Sequence, residues 1–276
     1  MALIALELND SGILAAGGSP PVLLDLDGES LESPGFALPQ KKRMLVGKAA
    51  ERKALIYPRQ ILRHFWAQLN SEPLEHAGKH FPQNHAEIVY HHLTLIWEQL
   101  QNHGDELVLA VPSFYDRMHL GLILGIAQEI AMPLQGFLPL SLAASSQICP
   151  EKMLLHLDID LHRIEVIYLE QGDNLILRDS ATTADKGLLH LHRKMIDMIG
   201  QKFVRSTRFD PLHTAATEQE LYNRLPGILS HLQHHQSMIF EISGGSKPYR
   251  ITLQRDSLTR QAEPVSNEII RLIKRM

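Results

Sequence analysis

Residues 106–146 read ELVLAVPSFYDRMHLGLILGIAQEIAMPLQGFLPLSLAASS, and the fold class follows from the order of patterns in this stretch. Residues 107–111 form a short apolar run that Pro112 stops, which is typical of a buried parallel strand followed at once by a turn. Apolar residues then recur at helical spacing over 117–131, so this segment predicts a helix that Asp116 can cap.

A second strand and a second helix follow in the same stretch. Pro133 ends the first helix, and the short run 134–137 predicts another strand. Pro139 is placed to open a helix of small residues over 141–146. The order strand, helix, strand, helix indicates one half of an α/β domain.

The rest of the chain predicts further elements on both sides of this stretch. Strands are predicted at 2–8, 13–16, 22–26, 153–158, 164–169, 175–178, 237–242 and 248–253, and helices at 60–69, 85–102, 185–203, 217–233 and from Asp256 onward, with a long loop at 27–42. The first strand and the strand 153–158 each end in an acid, Glu7 and Asp158, and each is followed by a turn. This shared opening predicts two lobes that face each other across a cleft, the first ending near Cys149.

Composition narrows the classes of function. The 276 residues carry a net charge of −4, so no basic excess exists to neutralise phosphates, and no nucleic-acid partner is expected. Cys149 is the single cysteine, which excludes an internal disulfide. No apolar run approaches the roughly 20 residues that span a bilayer, and no basic leader precedes the first apolar residues. We therefore expect a cytoplasmic protein with no membrane partner.

Two segments, in order, resemble one known family. The segment 46–58, VGKAAERKALIYP, is similar to the VG-x-AA-x-R-x-A-x-x-x-P segment of the seventy-kilodalton heat-shock (DnaK-type) chaperones. The order of elements in 106–146 resembles the same chaperones and, more loosely, the actin-like ATPases. The resemblance implies an α/β, actin-like ATPase fold of two ribonuclease-H-like lobes, 1–149 and 150–276. The second lobe would be incomplete and would include an outer subdomain of helices and a hairpin.

The resemblance also implies where a nucleotide cleft would lie. In the family, a D-L-G-T-T turn and a D-L-G-G-G-T-F-D-V turn form the phosphate and metal sites, and residues 7–11 (ELNDS) and 158–166 (DIDLHRIEV) take these places here. The candidate cleft residues, carried over position by position, are Glu7, Asn9, Asp10, Ser11, Asp158, Asp160 and Glu165.

The cleft departs from the family pattern where phosphate would bind. Backbone N–H groups approach phosphate closely only where no Cβ intervenes, and none of the turn glycines is kept. The family's E-P pair, whose carboxylate belongs to the catalytic site, is Leu138-Pro139 here, and Gly244-Gly245 reads as a hairpin turn rather than an adenine site. We therefore expect the fold without ATP hydrolysis and without a bound cofactor. Its expected role is that of a protein-binding or regulatory module, acting through a protein partner or self-association.

Two other functions remain open from the sequence. One is a working ATPase in which Glu7, Asp10, Asp158 and Glu165 hold Mg²⁺ together with ATP or ADP. The other is a metal-dependent phosphoesterase that uses Glu7, Asp158 and Asp160, because two-metal sites need acids at strand ends.

Histidines are frequent but do not form a specific motif. None of the candidate groups is joined by the cysteines or ordered carboxylates that mark a metal site, so no metal site is predicted. The candidates among the sixteen histidines are His91-His92, His190-x-His192 and the helical set His231, His234 and His235.

Overall fold

A mixed β-sheet and the helices packed on it organise the N-terminal half of the fold. The structure is a computed structural model that describes residues 2–28, 30–41, 43–75, 81–145, 153–184, 186–245 and 247–276. Cys149, the expected lobe boundary beside it and the predicted helix start at Asp185 lie outside the described residues. The chain is of mixed α/β class, as the sequence predicts.

Thirteen strands and eight α-helices lie within the described residues. The strands are β1 Leu3–Glu7, β2 Ile13–Gly17, β3 Val22–Leu23, β4 Glu32–Ser33, β5 Ala37–Pro39, β6 Met44–Val46, β7 Glu106–Val111, β8 Leu134–Pro139, β9 Met153–Ile159, β10 Arg163–Gln171, β11 Leu175–Ala184, β12 Ser237–Gly244 and β13 Lys247–Gln254. The helices are α1 Lys48–Glu51, α2 His85–Leu100, α3 Arg117–Glu129, α4 Leu140–Ala144, α5 Leu188–Thr207, α6 Ala215–His234, α7 Arg255–Thr259 and α8 Glu263–Ile273, with a 3₁₀ turn at Arg260–Ala262.

The N-terminal sheet has the strand order β3-β2-β1-β7-β8, with β4 on the side of β2. Its first three strands are antiparallel, whereas β7 runs parallel to β1 and β8 runs parallel to β7. Leu6 of β1 lies beside Leu109 of β7 in this register, and both are fully buried. The helix α3 begins at the predicted cap, where the Asp116 carboxylate accepts from the N–H groups of Met118 and His119. The strand and helix predictions for 107–131 are therefore confirmed.

One predicted helix is wrong. Residues 60–69 contain turns and a single bridge between Ala37 and Leu62, not a helix. Phe65 and Trp66 of this segment are buried in the core against α2. The apolar residues of this segment recur at helical spacing, but they enter the core from an irregular backbone. The predicted loop 27–42 also contains regular secondary structure, the short strands β4 and β5.

The C-terminal half has two layers of its own. The strands β11, β10 and β9 form an antiparallel sheet, on which α8 packs through Val265 and Leu272 against Ile164 and Val166. The helices α5 and α6 pack on the hairpin β12–β13 around Phe203 and Phe240. The predicted hairpin is confirmed, and Gly245 takes the positive φ that its turn requires.

Within the described ranges, none of the helices combines the length and the apolarity that crossing a bilayer requires.

Candidate functional site

The first sequence-predicted turn meets the second at the junction between the two halves. Asp10, in the turn between β1 and β2, accepts a hydrogen bond at 2.7 Å from the backbone N–H of Leu161, in the turn between β9 and β10. Asn9 closes its own turn, because its Oδ1 accepts from the N–H of Ser11 at 2.9 Å and from its hydroxyl at 2.6 Å. The two turns are thus bonded to each other, and this bond occupies the N–H of Leu161.

The second turn is also bonded to the start of α5. The carbonyl of Asp160 accepts from Leu188 N at 2.8 Å, and the carbonyl of Leu161 accepts from Leu189 N at 3.1 Å. Gly187 permits this approach, because a Cβ there would lie 2.3 Å from the carbonyl oxygen of Asp160. The turn therefore supplies the hydrogen-bond acceptors that the first N–H groups of α5 need.

Two buried aspartates lie at the centre of this junction. Burial raises the pKa of Asp10 to about 6, although the Leu161 hydrogen bond and the Arg163 charge act in the opposite direction. Burial raises the pKa of Asp160 well above its usual value, and the nearby Asp10, Asp158 and Glu165 add to that increase. One carboxylate oxygen of Asp160, Oδ2, is buried with no hydrogen-bond partner among the described residues.

Three further acids surround this pair. Burial raises the pKa of Glu7, with Asp158 contributing, and burial also raises the pKa of Glu165, which accepts a hydrogen bond from the Ser113 hydroxyl. Asp158 contacts His156 at 2.8 Å, and this bond raises the pKa of the histidine. The structure therefore brings Glu7, Asp10, Asp158, Asp160 and Glu165 into one electrostatic cluster, while Asn9 and Ser11 shape its edge.

Sequence reasoning missed the cation of this cluster. The Arg163 guanidinium lies 3.6 Å from the centre of the Phe114 ring and lowers the pKa of Asp10, Asp160 and Glu165. Ser113 was missed as well. Both residues adjoin predicted strand ends, so their positions gave a signal, but nothing in the sequence showed that they would converge.

Among the described residues, no group of three or more His, Cys, Asp or Glu side chains converges closely enough to hold a metal ion. Among the histidine candidates, His92 is fully buried with both ring nitrogens bonded, to Ser33 and Trp66. Burial lowers the pKa of His192 to about 4, with Lys48 nearby, whereas His231 and His235 stack on each other at the surface.

A cavity of about 450 Å³ lies beside the junction, between the two halves. We call it the interlobe pocket. One wall comes from the segment after α1, and the other comes from the second turn, the first three turns of α5 and Tyr222 of α6. Its lining residues are Ala54, Leu55, Pro58, Ile61, Arg63, His64, Leu161, His162, Gly187, Leu189, His190, Arg193, Ile196 and Tyr222. The sequence did not reveal this pocket, because its two walls are separated by about a hundred residues.

Comparisons with known proteins add no relative. A scan of the sequence against models of protein families gives no match, and a search of curated protein sequences gives no significant one.

Proposed function

We propose that this chain is a degenerate, non-hydrolysing protein of the DnaK-like, actin-like ATPase fold that serves as a protein-binding or regulatory module. At the level of the fold, the order β3-β2-β1-β7-β8 supports the proposal, because a ribonuclease-H-like lobe would have three antiparallel strands followed by two strands parallel to the first. The meander β9 to β11 has the same antiparallel opening in the second half. Two related lobes are expected to begin with the same antiparallel arrangement of strands.

The observation that carries the proposal is the bond between the two turns. A phosphate-binding turn works by presenting free backbone N–H groups to the anion. Here the N–H of Leu161 is taken by the Asp10 carboxylate, and the N–H of Asp160 is taken by the carbonyl of Arg163 at 3.0 Å. Two of the backbone donors that a phosphate would need at the second turn are therefore already used within the protein.

Charge and shape at the junction also disfavour the binding of phosphate. Five carboxyl groups surround the place where the two turns meet, and their ionised forms would repel a polyphosphate. The side chains of Asp160 and Leu161 are buried there, at 4% and 2% exposure. With these two donors occupied, the second turn offers less preorganised stabilisation to a phosphoryl-transfer transition state.

The test is a calorimetric titration of the full chain with Mg-ATP and with Mg-ADP. We expect no heat of binding, and no rise in the thermal midpoint at millimolar nucleotide, because a bound ligand would stabilise the folded state by mass action. Micromolar binding that disappears in Asp158→Ala but persists in Asp179→Ala, an exposed aspartate of β11, would overturn the proposal. That result would favour the working ATPase with Mg²⁺ instead.

The second part of the proposal is that the fold binds another protein or a second copy of itself. Light scattering over a range of protein concentrations tests self-association, and cross-linking followed by identification of the linked peptides tests a different protein partner. A chain that stays monomeric and cross-links to nothing would contradict the binding role. The phosphoesterase alternative gains no support from the junction, since within the described ranges its acids do not converge on a metal position.

A further inference from the structure

The lining of the interlobe pocket carries positive charge on both walls. Arg63 lies on the wall after α1, and Arg193 and His190 lie on the α5 wall. His64 and His162, one from each wall, stack on each other with ring centres 3.6 Å apart. Among the described residues that line the pocket, none is an aspartate or a glutamate. This contrasts with the carboxyl cluster of the adjacent junction, so the pocket is an electrostatically separate place.

The charge of Arg63 is the least neutralised of these groups. Arg193 already pairs with Asp197 at 3.1 Å and with Glu218 at 2.7 Å. By contrast, no carboxylate of the described part of the chain lies within ion-pair distance of Arg63, whose side chain is exposed to the pocket and to solvent. An anion entering the pocket would therefore meet an available guanidinium, which binds carboxylate or phosphate oxygens in a bidentate manner.

The rest of the pocket lining is largely apolar. Leu55, Ile61, Leu189 and Ile196 contribute aliphatic surface, and Tyr222 adds an aromatic ring that is 9% exposed. A volume of about 450 Å³ lies within the range of pockets that hold small organic ligands, roughly 300–1,000 Å³. We propose that the interlobe pocket binds a small organic acid, with its anionic group at Arg63 and His190 and its apolar body against this surface.

The pocket is formed by contacts that hold the two halves together. The Gln219 side chain accepts from the N–H of Leu55 and donates to the carbonyl of Glu51, and the Tyr222 hydroxyl reaches the Glu51 carboxylate. Ligand binding there would add contacts to both walls. This proposal does not depend on the loss of nucleotide binding, because the pocket uses side chains rather than the backbone of the two turns.

The test uses two fluorescent probes that differ in charge. Anilinonaphthalenesulfonate is an aromatic organic acid, and N-phenylnaphthylamine has the same rings without the anionic group. We expect saturable binding of the sulfonate at one site per chain, weakened about tenfold by Arg63→Gln, with little change for the neutral probe. Arg205→Gln serves as the matched control, since Arg205 is an exposed arginine of α5 that lies about 18 Å along the helix from Arg193.

His190→Gln provides a second variant if Arg63→Gln folds poorly, and it too should weaken the anionic probe selectively. Three results would overturn the proposal: no saturable site, equal losses in Arg63→Gln and Arg205→Gln, or equal losses of both probes in Arg63→Gln. Displacement of the sulfonate by Mg-ATP with micromolar affinity is a different outcome. It would support an anion site at this pocket and would overturn the non-nucleotide function proposed above.

Discussion

His92 is a neutral histidine enclosed in the N-terminal core. The indole N–H of Trp66 can only donate, so Nδ1 of His92 accepts that bond at 3.1 Å, and Nε2 carries the proton and donates to the Ser33 hydroxyl at 2.8 Å. Burial lowers the pKa of His92 to about 3. The ring therefore acts as a structural link between β4, α2 and the segment that carries Trp66.

This histidine makes stability fall as the pH falls. In the unfolded chain a histidine gains its proton near pH 6.5, whereas the folded His92 resists protonation down to about 3. Stability is therefore lost on acidification through that window, by up to about 1.4 kcal/mol per pH unit from this group. We expect His92→Phe to flatten the decline of the unfolding free energy between pH 6 and pH 4, measured by urea titration, although it costs about 1–3 kcal/mol at pH 7 by leaving Trp66 unpaired.

The control for this prediction is His103→Gln, because His103 is exposed. It should leave the slope between pH 6 and pH 4 unchanged. A decline in His92→Phe as steep as that of the wild type would show that His92 is not the group responsible.

Asp160 has the opposite effect on the pH dependence. Its pKa is raised by burial and by Asp10, so the folded chain keeps a proton that the unfolded chain releases near pH 3.8. The contribution of Asp160 to the unfolding free energy is fully present at acid pH and is lost as the pH rises through the raised pKa. Asp160→Asn should remove that loss and raise the unfolding free energy at pH 7.5 by about 1–3 kcal/mol, since the carboxylate oxygen Oδ2 has no partner within the described residues.

Asp179→Asn, at an exposed position of β11, is the matched control and should change stability little at either pH. The comparison is urea unfolding at pH 7.5 and at pH 4, where Asp160→Asn and the wild type should converge. A loss of stability in Asp160→Asn at pH 7.5 would mean that the ionised carboxylate is paired with a cation in solution.

At the scale of elements, the contact between the second turn and α5 depends on one glycine. A Cβ at Gly187 would lie 2.3 Å from the Asp160 carbonyl and 2.6 Å from the backbone nitrogens of His162 and Arg163. Because all three neighbours are backbone atoms, the strain cannot be relieved by a side-chain rotation. We expect Gly187→Ala to cost about 3 kcal/mol of unfolding free energy by displacing the start of α5.

Gly227 offers a matched substitution in a helix. It lies exposed within α6, and a Cβ there would meet no atom within 4 Å. Gly227→Ala should therefore stabilise the chain by about 0.5–1 kcal/mol, because alanine loses less backbone entropy in a helix. Thermal and urea unfolding of the two variants should shift in opposite directions, and a shift in the same direction would contradict the backbone contact at Gly187.

At the scale of the whole molecule, Gln219 joins the two halves. Its Oε1 accepts from Leu55 N at 2.7 Å and its Nε2 donates to Glu51 O at 3.1 Å, and the side chain is 3% exposed. Gln219→Ala would leave the N–H of Leu55 without its partner, while the Glu51 carbonyl would keep its bond from the N–H of Ala54. We expect a loss of about 1–3 kcal/mol, against less than about 0.5 kcal/mol for Gln233→Ala, an exposed position of the same helix.

Two signals report the two halves separately. Both tryptophans, Trp66 and Trp97, lie in the N-terminal half, whereas α5 and α6 contribute much of the helical circular dichroism. The two transitions should coincide in the wild type and should move together to lower urea in Gln219→Ala. Transitions that are separate in the wild type would show that the bridge does not couple the halves.

The sequence by itself determined the elements whose signals are local. The strand 107–111, the cap at Asp116 and the hairpin at Gly245 follow from apolar runs, a capping side chain and turn chemistry, all of which act within a few residues. The resemblance to the chaperones, carried over position by position, also selected the acids that interact electrostatically at the junction. The sequence failed at 60–69, where tertiary packing of Phe65 and Trp66 overrides a helical spacing.

Only the tertiary structure decided how the two halves meet. The bond from Leu161 to Asp10 joins residues 151 positions apart, and the bridge at Gln219 spans 164 positions to Leu55. The interlobe pocket and the position of Arg163 among the acids arise from the same distant contacts. Their physical basis is burial and electrostatics between segments that the chain brings together only after it folds, so no local pattern encodes them.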